Sequence, residues 1–402
     1  VSRWLHIIGL GEKGWADLPA RLQDAISHAE LIVGGRRHLD LIGKRAAPEH
    51  EWRTPLSHSI AEIVRWRGRR VVVLASGDPM HFGIGATLAR HISPAEMEVD
   101  PAPSSFSLAA ARLGWALQDV ACLSIHNRPL AALGRELCPG RRLLVLTDSG
   151  SSPAQCAEWL TERGYGASLM TIFEHLGGPR EHFIEAPARD WKSEWRVADL
   201  NLLAIECRLG GDGQPLSLAP GLPDDCYLHD GKITKAEVRS ATLAALRPMV
   251  GDMLWDVGAG CGSVGIEWMR QHRAMRAAAI EHDEARLHMI ATNARQLCVA
   301  DLQIVAGSAP EALADLPSPH AIFIGGGIAQ HGVVERCWDA LLPEGRLVAN
   351  VVTAEGEQAV FRAREKFGGD MVRFNVQRLD SVGSYQGWKP LMPITQWRAE
   401  KK

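Results

Sequence analysis

The chain has 402 residues, 44 Lys and Arg against 47 Asp and Glu, and a formal net charge of −3; 46% of it is hydrophobic and 23% charged. The length predicts two or three domains, the apolar content excludes general disorder, and the near balance of charge argues against a protein held to nucleic acid by phosphate neutralisation. No apolar run approaches the roughly 18 residues of a membrane-crossing helix, Leu5–Leu10 is too short for a secretory signal, and the 8 Cys show no C-x-x-C pair, so no metal site and no disulfide framework are expected, only free thiols in a reducing cytoplasm.

Short apolar strands alternate with helical patterns along the chain. In the first half the strands are expected at Leu5–Ile8, Glu30–Val33, Val71–Ala75, Leu143–Leu146 and Asn201–Glu206. In the second they are expected at Met253–Val257, Ala277–Glu281, Leu302–Val305, Ala321–Ile324 and Arg346–Val351. Alternation of this kind predicts α/β units on mainly parallel sheets. The Gly- and Pro-rich stretch Leu209–Pro223 reads as a joint, so the expected organisation is a domain over 1–210, a linker over 211–220 and a domain over 221–402.

Near the start, Gly9-Leu10-Gly11-Glu12-Lys13-Gly14 is a literal G-x-G-x-x-G. A dinucleotide site would need an acidic residue ending the second strand about 20 residues on. Glu30 begins that strand instead, so the fingerprint fails on context. Gly77-Asp78-Pro79 follows the buried strand Val71–Ala75, which puts a turn at the carboxyl edge of a sheet, where open α/β sheets bind ligands. Taken alone, Gly-Asp-Pro is simply a turn. The cations of this half are almost all Arg, whose planar fork suits carboxylates, although composition alone also accounts for them.

In the second half, Asp256-Val257-Gly258-Ala259-Gly260-Cys261-Gly262 lies between an apolar strand and a helical pattern. The glycines permit a tight turn and close backbone approach to a ligand. Glu281 ends the next strand, 19 residues after Gly262, where an acid can accept hydrogen bonds from ribose hydroxyls. A dinucleotide and S-adenosylmethionine compete for such a site. Acidic residues near the glycines can accommodate the sulfonium of the second, and the pattern Asp256 to Gly262, with Gly307-Ser308-Ala309 after the third strand, resembles the class I methyltransferases, which implies the second. Upstream, Thr234-x-x-Glu237 reads as a capping box that starts a helix, and the same helix start can also line the site.

These motifs carry two resemblances. IIGLGEKG, LASGDPMHFGIG, PAPSSF, SIHNRP and LVLTDSGSSPAQCAEWL, over most of residues 5–165, together resemble the class III tetrapyrrole methyltransferases of the CbiE type. PDDCYLHDGKITKAEVR, LWDVGAGCGSVGIEW, AIEHD, GSAPEAL and IFIGGG, between Gly221 and Ile328, resemble the CbiT-type precorrin methyltransferases. The first implies a two-lobed domain with S-adenosylmethionine at Gly9, Gly11, Gly77, Asp78, Ser104 and Ser105. The second implies a Rossmann-like class I methyltransferase fold with S-adenosylmethionine at Thr234, Gly258, Ala259, Gly260, Cys261, Gly262, Glu281 and Ala309. Two departures stand out. Asn127 replaces the usual Gly of Ser-x-His-Gly-Arg and can still take a left-handed conformation; His320 stands where relatives often have Asp.

A fusion of the two halves resembles the decarboxylating precorrin methyltransferases of cobalamin biosynthesis. That resemblance implies methyl transfer to carbons 5 and 15 of an acidic tetrapyrrole, precorrin-6Y or 6B, and loss of the ring C acetate carboxylate to give precorrin-8X. Charge, hydropathy and cysteine usage lead to the expectation of a cytoplasmic protein with no nucleic-acid or membrane partner, and a homo-oligomer is expected. Arg36, Arg37 and Arg128 are candidates for pairing with substrate carboxylates. Asp78, His126 and Lys235 are candidate bases, though His126 is as readily a structural hydrogen-bonder. The alternatives are a fused NAD-dependent oxidoreductase and a non-catalytic S-adenosylmethionine-binding regulator.

Overall fold

The computed structural model describes residues 3–211 and 213–402. Chain contacts divide it into two compact units, Val1–Leu130 with Glu136–Pro215, and Ala131–Arg135 with Leu216–Lys402.

In the first unit, β1 (Leu5–Leu10), β2 (Leu31–Gly34), β3 (Glu49–Glu51), β4 (Val71–Ser76) and β5 (Met97–Asp100) form an all-parallel sheet in the order β3-β2-β4-β1-β5. β1 and β4 lie inside it, and Ile7, Ile8, Val73 and Leu74 are wholly buried. Burial on both faces is why these strands are written as unbroken apolar runs. A second sheet holds β6 (Val120–Ser124), β7 (Arg142–Leu146), β8 (Leu169–Glu174), β9 (His182–Pro187) and β10 (Asn201–Glu206), in the order β6-β7-β10-β8-β9. The expected parallel arrangement fails here. β6 pairs with β7 in parallel, but β10 runs antiparallel to both β7 and β8, and β8 to β9. The missed strand β9 exposes most of its side chains, so it lacks the apolar signature. The helix Ser105–Leu113 follows β5 and sets Phe106, Ala109 and Ala110 against Leu144, Phe173 and Leu202 of the second sheet.

The second unit continues with β11 (Met253–Val257), β12 (Arg276–Glu281), β13 (Gln303–Ala306), β14 (Ala321–Ile324), β15 (Arg346–Val351), β16 (Asp370–Phe374), β17 (Gln377–Val382), β18 (Tyr385–Pro390) and β19 (Ile394–Glu400). Seven of them form the sheet β13-β12-β11-β14-β15-β19-β16, in which β19 alone runs against the direction of the other six. β17 and β18 form a separate hairpin. Along β11, Met253, Trp255 and Val257 enter one apolar cluster while Leu254 enters the other, so the sheet is covered on both faces. Strand order reverses at β11, which makes the carboxyl end of that strand the switch point where such sheets bind ligands.

A buried ion pair fastens the segment leading into this edge. Arg239, on the helix Ala236–Leu246, donates from Nε to Glu267 Oε1 at 2.6 Å, and Glu267 sits on the helix Ser263–Arg270. The same carboxylate accepts from Gly221 N–H at 2.6 Å, Leu222 N–H at 3.0 Å and the Tyr227 hydroxyl at 2.9 Å. Arg239 also reaches Asp224 Oδ1 at 3.2 Å and the carbonyls of Thr234 and Leu222. The expected capping box is not formed. Lys235 is the N-cap, Ala236 N–H is taken by Asp224 Oδ1 at 3.0 Å, and Glu237 pairs with Arg378 at 2.7 Å. A distant carboxylate has replaced the local cap, because Asp224 is held beside the helix start by Arg239.

Removing one member of a buried pair leaves an uncompensated charge, at a cost of about 3–5 kcal/mol. Glu267→Leu is therefore expected to lower the unfolding free energy by that order. The double variant Arg239→Met with Glu267→Leu is expected to recover part of the loss. Urea denaturation of all three variants checks this; a double variant less stable than Glu267→Leu alone would contradict the account.

Candidate functional site

In the first unit, three loops meet at the carboxyl edge of the parallel sheet. A Cβ on Gly9 would collide with the Gly77 carbonyl and lie 2.6 Å from Ala102 N. Gly77 N–H donates to Leu10 O at 2.9 Å, and Ala102 N–H donates to Gly77 O at 3.1 Å. Gly77 itself has φ +52°, so both glycines are required by geometry. Asp78 Oδ1 accepts from Met80 N–H at 2.8 Å, closing an Asx turn. Ser104 is buried and caps the next helix, its Oγ accepting from Ser107 N–H at 3.1 Å, and Ser105 opens that helix. A Cβ on Gly11 would meet nothing within 4 Å, so this glycine faces open space.

The other candidates of the first unit lie around this edge in different states. His126 is exposed, with Nδ1 2.8 Å from Asp148 Oδ1. Asn127 takes φ +54°, the left-handed conformation expected of it. Arg128 stands 5.8 Å from the Phe82 ring, in a cluster that includes His81 and Phe106. Arg36 pairs with Asp40 at 3.0 Å on the surface. Arg37 is drawn inward to Glu12 and donates to Ser76 Oγ at 2.7 Å. Beside it His38, which no motif signalled, lies 2.8 Å from the same Oγ, and burial pushes its imidazole down to about 4, so it is neutral at physiological pH. His6, Glu98 and Asp100 also converge with metal-type geometry. That Asp100 carboxylate is already taken by His6 Nε2 at 2.6 Å and by Arg21.

The second unit has a cavity of about 670 Å³ at its switch point. Thr234, Gly258, Ala259, Gly260, Cys261, Glu281 and Ala309 all line it, as does Lys235. Gly262 is not on the wall; it caps the following helix with φ +81° and packs against Ile290. The loop after β11 lies so close to the loop after β14 that a Cβ on Gly258 would be 2.7 Å from Gly326 Cα. Glu281, 3% exposed, is fixed by backbone donors: Gly260 N–H to Oε2 at 2.9 Å, and His282 and Asp283 N–H to Oε1 at 2.9 and 3.1 Å. The Glu281 carbonyl in turn accepts from Gly307 N–H at 2.9 Å, tying the β12 and β13 loops together. His320 lies at the other end of β14, where its Nδ1 accepts from Met253 N–H at 3.1 Å.

The segment forming the near wall is anchored twice more. Asn293 Oδ1 accepts from Leu228 N–H at 2.8 Å, and its Nδ2 donates to Leu228 O and Cys261 O, both at 2.9 Å. Arg286 pairs with Asp230 at 2.9 Å. Arg286, Gln330, Val352, Phe374, Val376, Leu391, Met392 and Ile394 carried no sequence signal, whereas Lys232 lies within PDDCYLHDGKITKAEVR and Asn350 within the expected strand Arg346–Val351. Apart from Arg286, on the helix that follows β12, the unsignalled residues come from the loop after β14 and from the far strands and their flanks, and meet the cavity only on folding. The arrangement is a cleft at β11–β13 that carries the Glu281 carboxylate, with a broad continuation over β14–β16.

Asp256 is not on the cavity wall. It is 1% exposed, its Oδ2 accepts from Gly265 N–H at 2.8 Å, and its Oδ1 has no hydrogen-bond partner among the described residues. Burial, with the charge of Glu281 adding to it, pushes this carboxyl up to about 7. Between the ordinary carboxyl range and about 7, the native state holds a proton that the unfolded chain releases. This group therefore subtracts stability as pH rises through that window, by at most about 4 kcal/mol, and has a level effect above it. Asp256→Asn is expected to gain on the wild type from pH 5 to pH 8 in thermal unfolding midpoint. A constant difference across that range would contradict the assignment.

Comparisons with known proteins divide along the same lines. Residues 4–191 match the tetrapyrrole (corrin/porphyrin) methylases, and residues 225–401 match the precorrin methyltransferase domain. A Sinorhizobium sp protein named precorrin-6Y C(5,15)-methyltransferase [decarboxylating] is 47% identical over 99% of this chain and 96% of its own length. A Mycobacterium tuberculosis protein of the same name is 37% identical over 98% of this chain and 99% of its own. A Salmonella typhimurium cobalt-precorrin-7 C(5)-methyltransferase is 29% identical over 48% of this chain and 95% of its own. Matched almost end to end, and with a family fold in each unit, the chain belongs to the family of decarboxylating precorrin-6Y C(5,15)-methyltransferases.

Proposed function

We infer that this chain is a bifunctional S-adenosylmethionine-dependent enzyme that methylates precorrin-6Y or 6B at carbons 5 and 15 and removes the ring C acetate carboxylate. Residues 1–210 are assigned the methylation at carbon 5, and residues 221–402 the methylation at carbon 15 with decarboxylation. The observation that carries this reading is the cavity at the β11 switch point, with Glu281 and the Gly258–Gly260 loop on its wall. Such a cleft suits the adenosyl group of the methyl donor. In the first unit the corresponding place is the edge built by Gly9, Gly77 and Ser104.

Methyl transfer from a sulfonium to an enamine-like carbon is an in-line displacement, whose main demand is proximity and orientation. Decarboxylation needs an electron sink, which enzymes usually draw from a cofactor such as pyridoxal or thiamine. Here the substrate itself can supply it. Methylation at carbon 15 leaves the adjacent ring C as a conjugated iminium, next to the acetate that is lost. Carbon 5 lies between rings A and B and cannot serve that acetate. The two steps are therefore coupled in the second unit.

Loss of a charge-assisted hydrogen bond costs about 1.5–3 kcal/mol, roughly one to two decades in affinity. Glu281→Ala in the full-length enzyme is expected to reduce methylation at carbon 15 and carbon dioxide release together, by that factor, at limiting S-adenosylmethionine. The wild type given substrate without S-adenosylmethionine should release no carbon dioxide. Labelled-methyl NMR and carbon dioxide trapping check both points. Carbon dioxide release that persists when methylation at carbon 15 is lost would overturn the coupling.

A further inference from the structure

The cavity of the second unit is segregated by charge. Among the described residues lining it, every charged side chain comes from Lys232, Lys235, or the stretch 281–286. The lining contributed beyond β14 is uncharged: Asn350 and Gln330 are its polar members, and the rest is apolar, including Val376, Leu391 and Met392 at the base of the hairpin.

The cations of β16 and of the hairpin β17–β18 are already engaged. Arg373 pairs with Glu357, Arg378 lies 3.0 Å from Asp224 and 2.7 Å from Glu237, and Lys389 lies 3.1 Å from Asp380. Lys235 differs. It reaches Asp224 at 4.0 Å, and that carboxylate already serves Arg239 and Arg378. Lys232 is exposed at the cavity rim. Substrate carboxylates that must be retained have cations to meet on one side, while the other side offers a carboxylate none.

We propose that the apolar wall formed by Val376, Leu391 and Met392 receives the ring C acetate of the substrate and promotes its loss by offering it no cation and no side-chain hydrogen-bond donor, while Lys232 and Lys235 anchor carboxylates that stay. The proposal rests on the function inferred above. Methylation at carbon 15 moves the positive charge of the sulfonium onto the ring as an iminium. The bond between the acetate methylene and its carboxylate then breaks, carbon dioxide leaves, and the electron pair neutralises the iminium, producing an exocyclic methylene. That methylene carbon gains a proton to become a methyl group, and the macrocycle releases one. The carboxylate charge is localised before the bond breaks and spread through the ring as it breaks. Solvation or a cation favours the localised form, so an apolar surface lowers the barrier relative to a polar one.

The test uses the full-length enzyme and reads carbon dioxide released per methyl placed at carbon 15. Met392 is 64% exposed, so a longer polar side chain is accommodated there without repacking. Met392→Lys is expected to lower this ratio about tenfold, the effect of one charge-assisted contact to the carboxylate, with methylated product still carrying the acetate accumulating. Leu379→Lys, at a position on β17 that is exposed and outside the cavity lining, is expected to keep the ratio of the wild type. A Met392→Lys variant with the wild-type ratio, or a Leu379→Lys variant that falls as far, overturns the proposal. Carbon dioxide release by the wild type without S-adenosylmethionine would instead overturn the underlying function, so the two failures are distinguishable.

Discussion

The contact between Arg239 and Glu267 governs how the second unit presents its ligand edge. Both side chains are buried, and between them they satisfy backbone groups at Gly221, Leu222 and Thr234 as well as the Tyr227 hydroxyl. A buried pair of this kind contributes little net stability compared with an apolar replacement, but its partial loss is severe. Its value lies in fixing a geometry. It holds Asp224 against the start of the helix Ala236–Leu246, so the segment from Gly231 to Lys235 is kept as a wall of the cavity. Asn293 and Arg286 secure the same segment further along. Arg378 then connects Asp224 and Glu237 to the β17–β18 hairpin. One buried guanidinium thus stands at the root of contacts that join both walls.

Close backbone approach is the second constraint, and it operates in both units by different means. At the first unit's edge, Gly9 and Gly77 let the loops after β1, β4 and β5 touch through backbone hydrogen bonds. In the second, Gly258 lets the loops after β11 and β14 pass within a contact that a Cβ at that position would block. Both sites are therefore walled by main chain, which is rigid and presents donors without side-chain entropy. Glu281 follows the same logic, since three backbone donors hold its carboxylate in place before any ligand arrives.

Much of the fold was legible in the sequence. The strands expected at Asn201–Glu206, Met253–Val257, Ala321–Ile324 and Arg346–Val351 occur with those bounds, and others shift by a residue or two. These strands are buried on both faces and so are written as apolar runs. Of the strands that escaped notice, β3, β9 and the hairpin β17–β18 lie at edges or carry polar faces, whereas β8 and β19 lie inside their sheets and set Thr171, Thr395 and Gln396 among buried apolar residues. The Thr234-x-x-Glu237 pattern misled for a related reason: a local cap motif does not reveal that Asp224 and Arg378 compete for its groups.

The sequence by itself determined the two α/β units, the family they resemble, and the glycine and acidic positions of the ligand edges, because each is encoded in a short contiguous motif whose geometry is local. The tertiary structure decided the rest. It turned Asp256 into the core and left Gly262 as a helix cap, drew Arg37 onto Glu12, and made the second sheet of the first unit mostly antiparallel. It also brought Val376, Leu391 and Met392 to the same cavity as Lys232 and Glu281. Strand direction and the pairing of distant side chains depend on chain closure and on competition for buried partners, and neither leaves a mark within any one stretch of sequence.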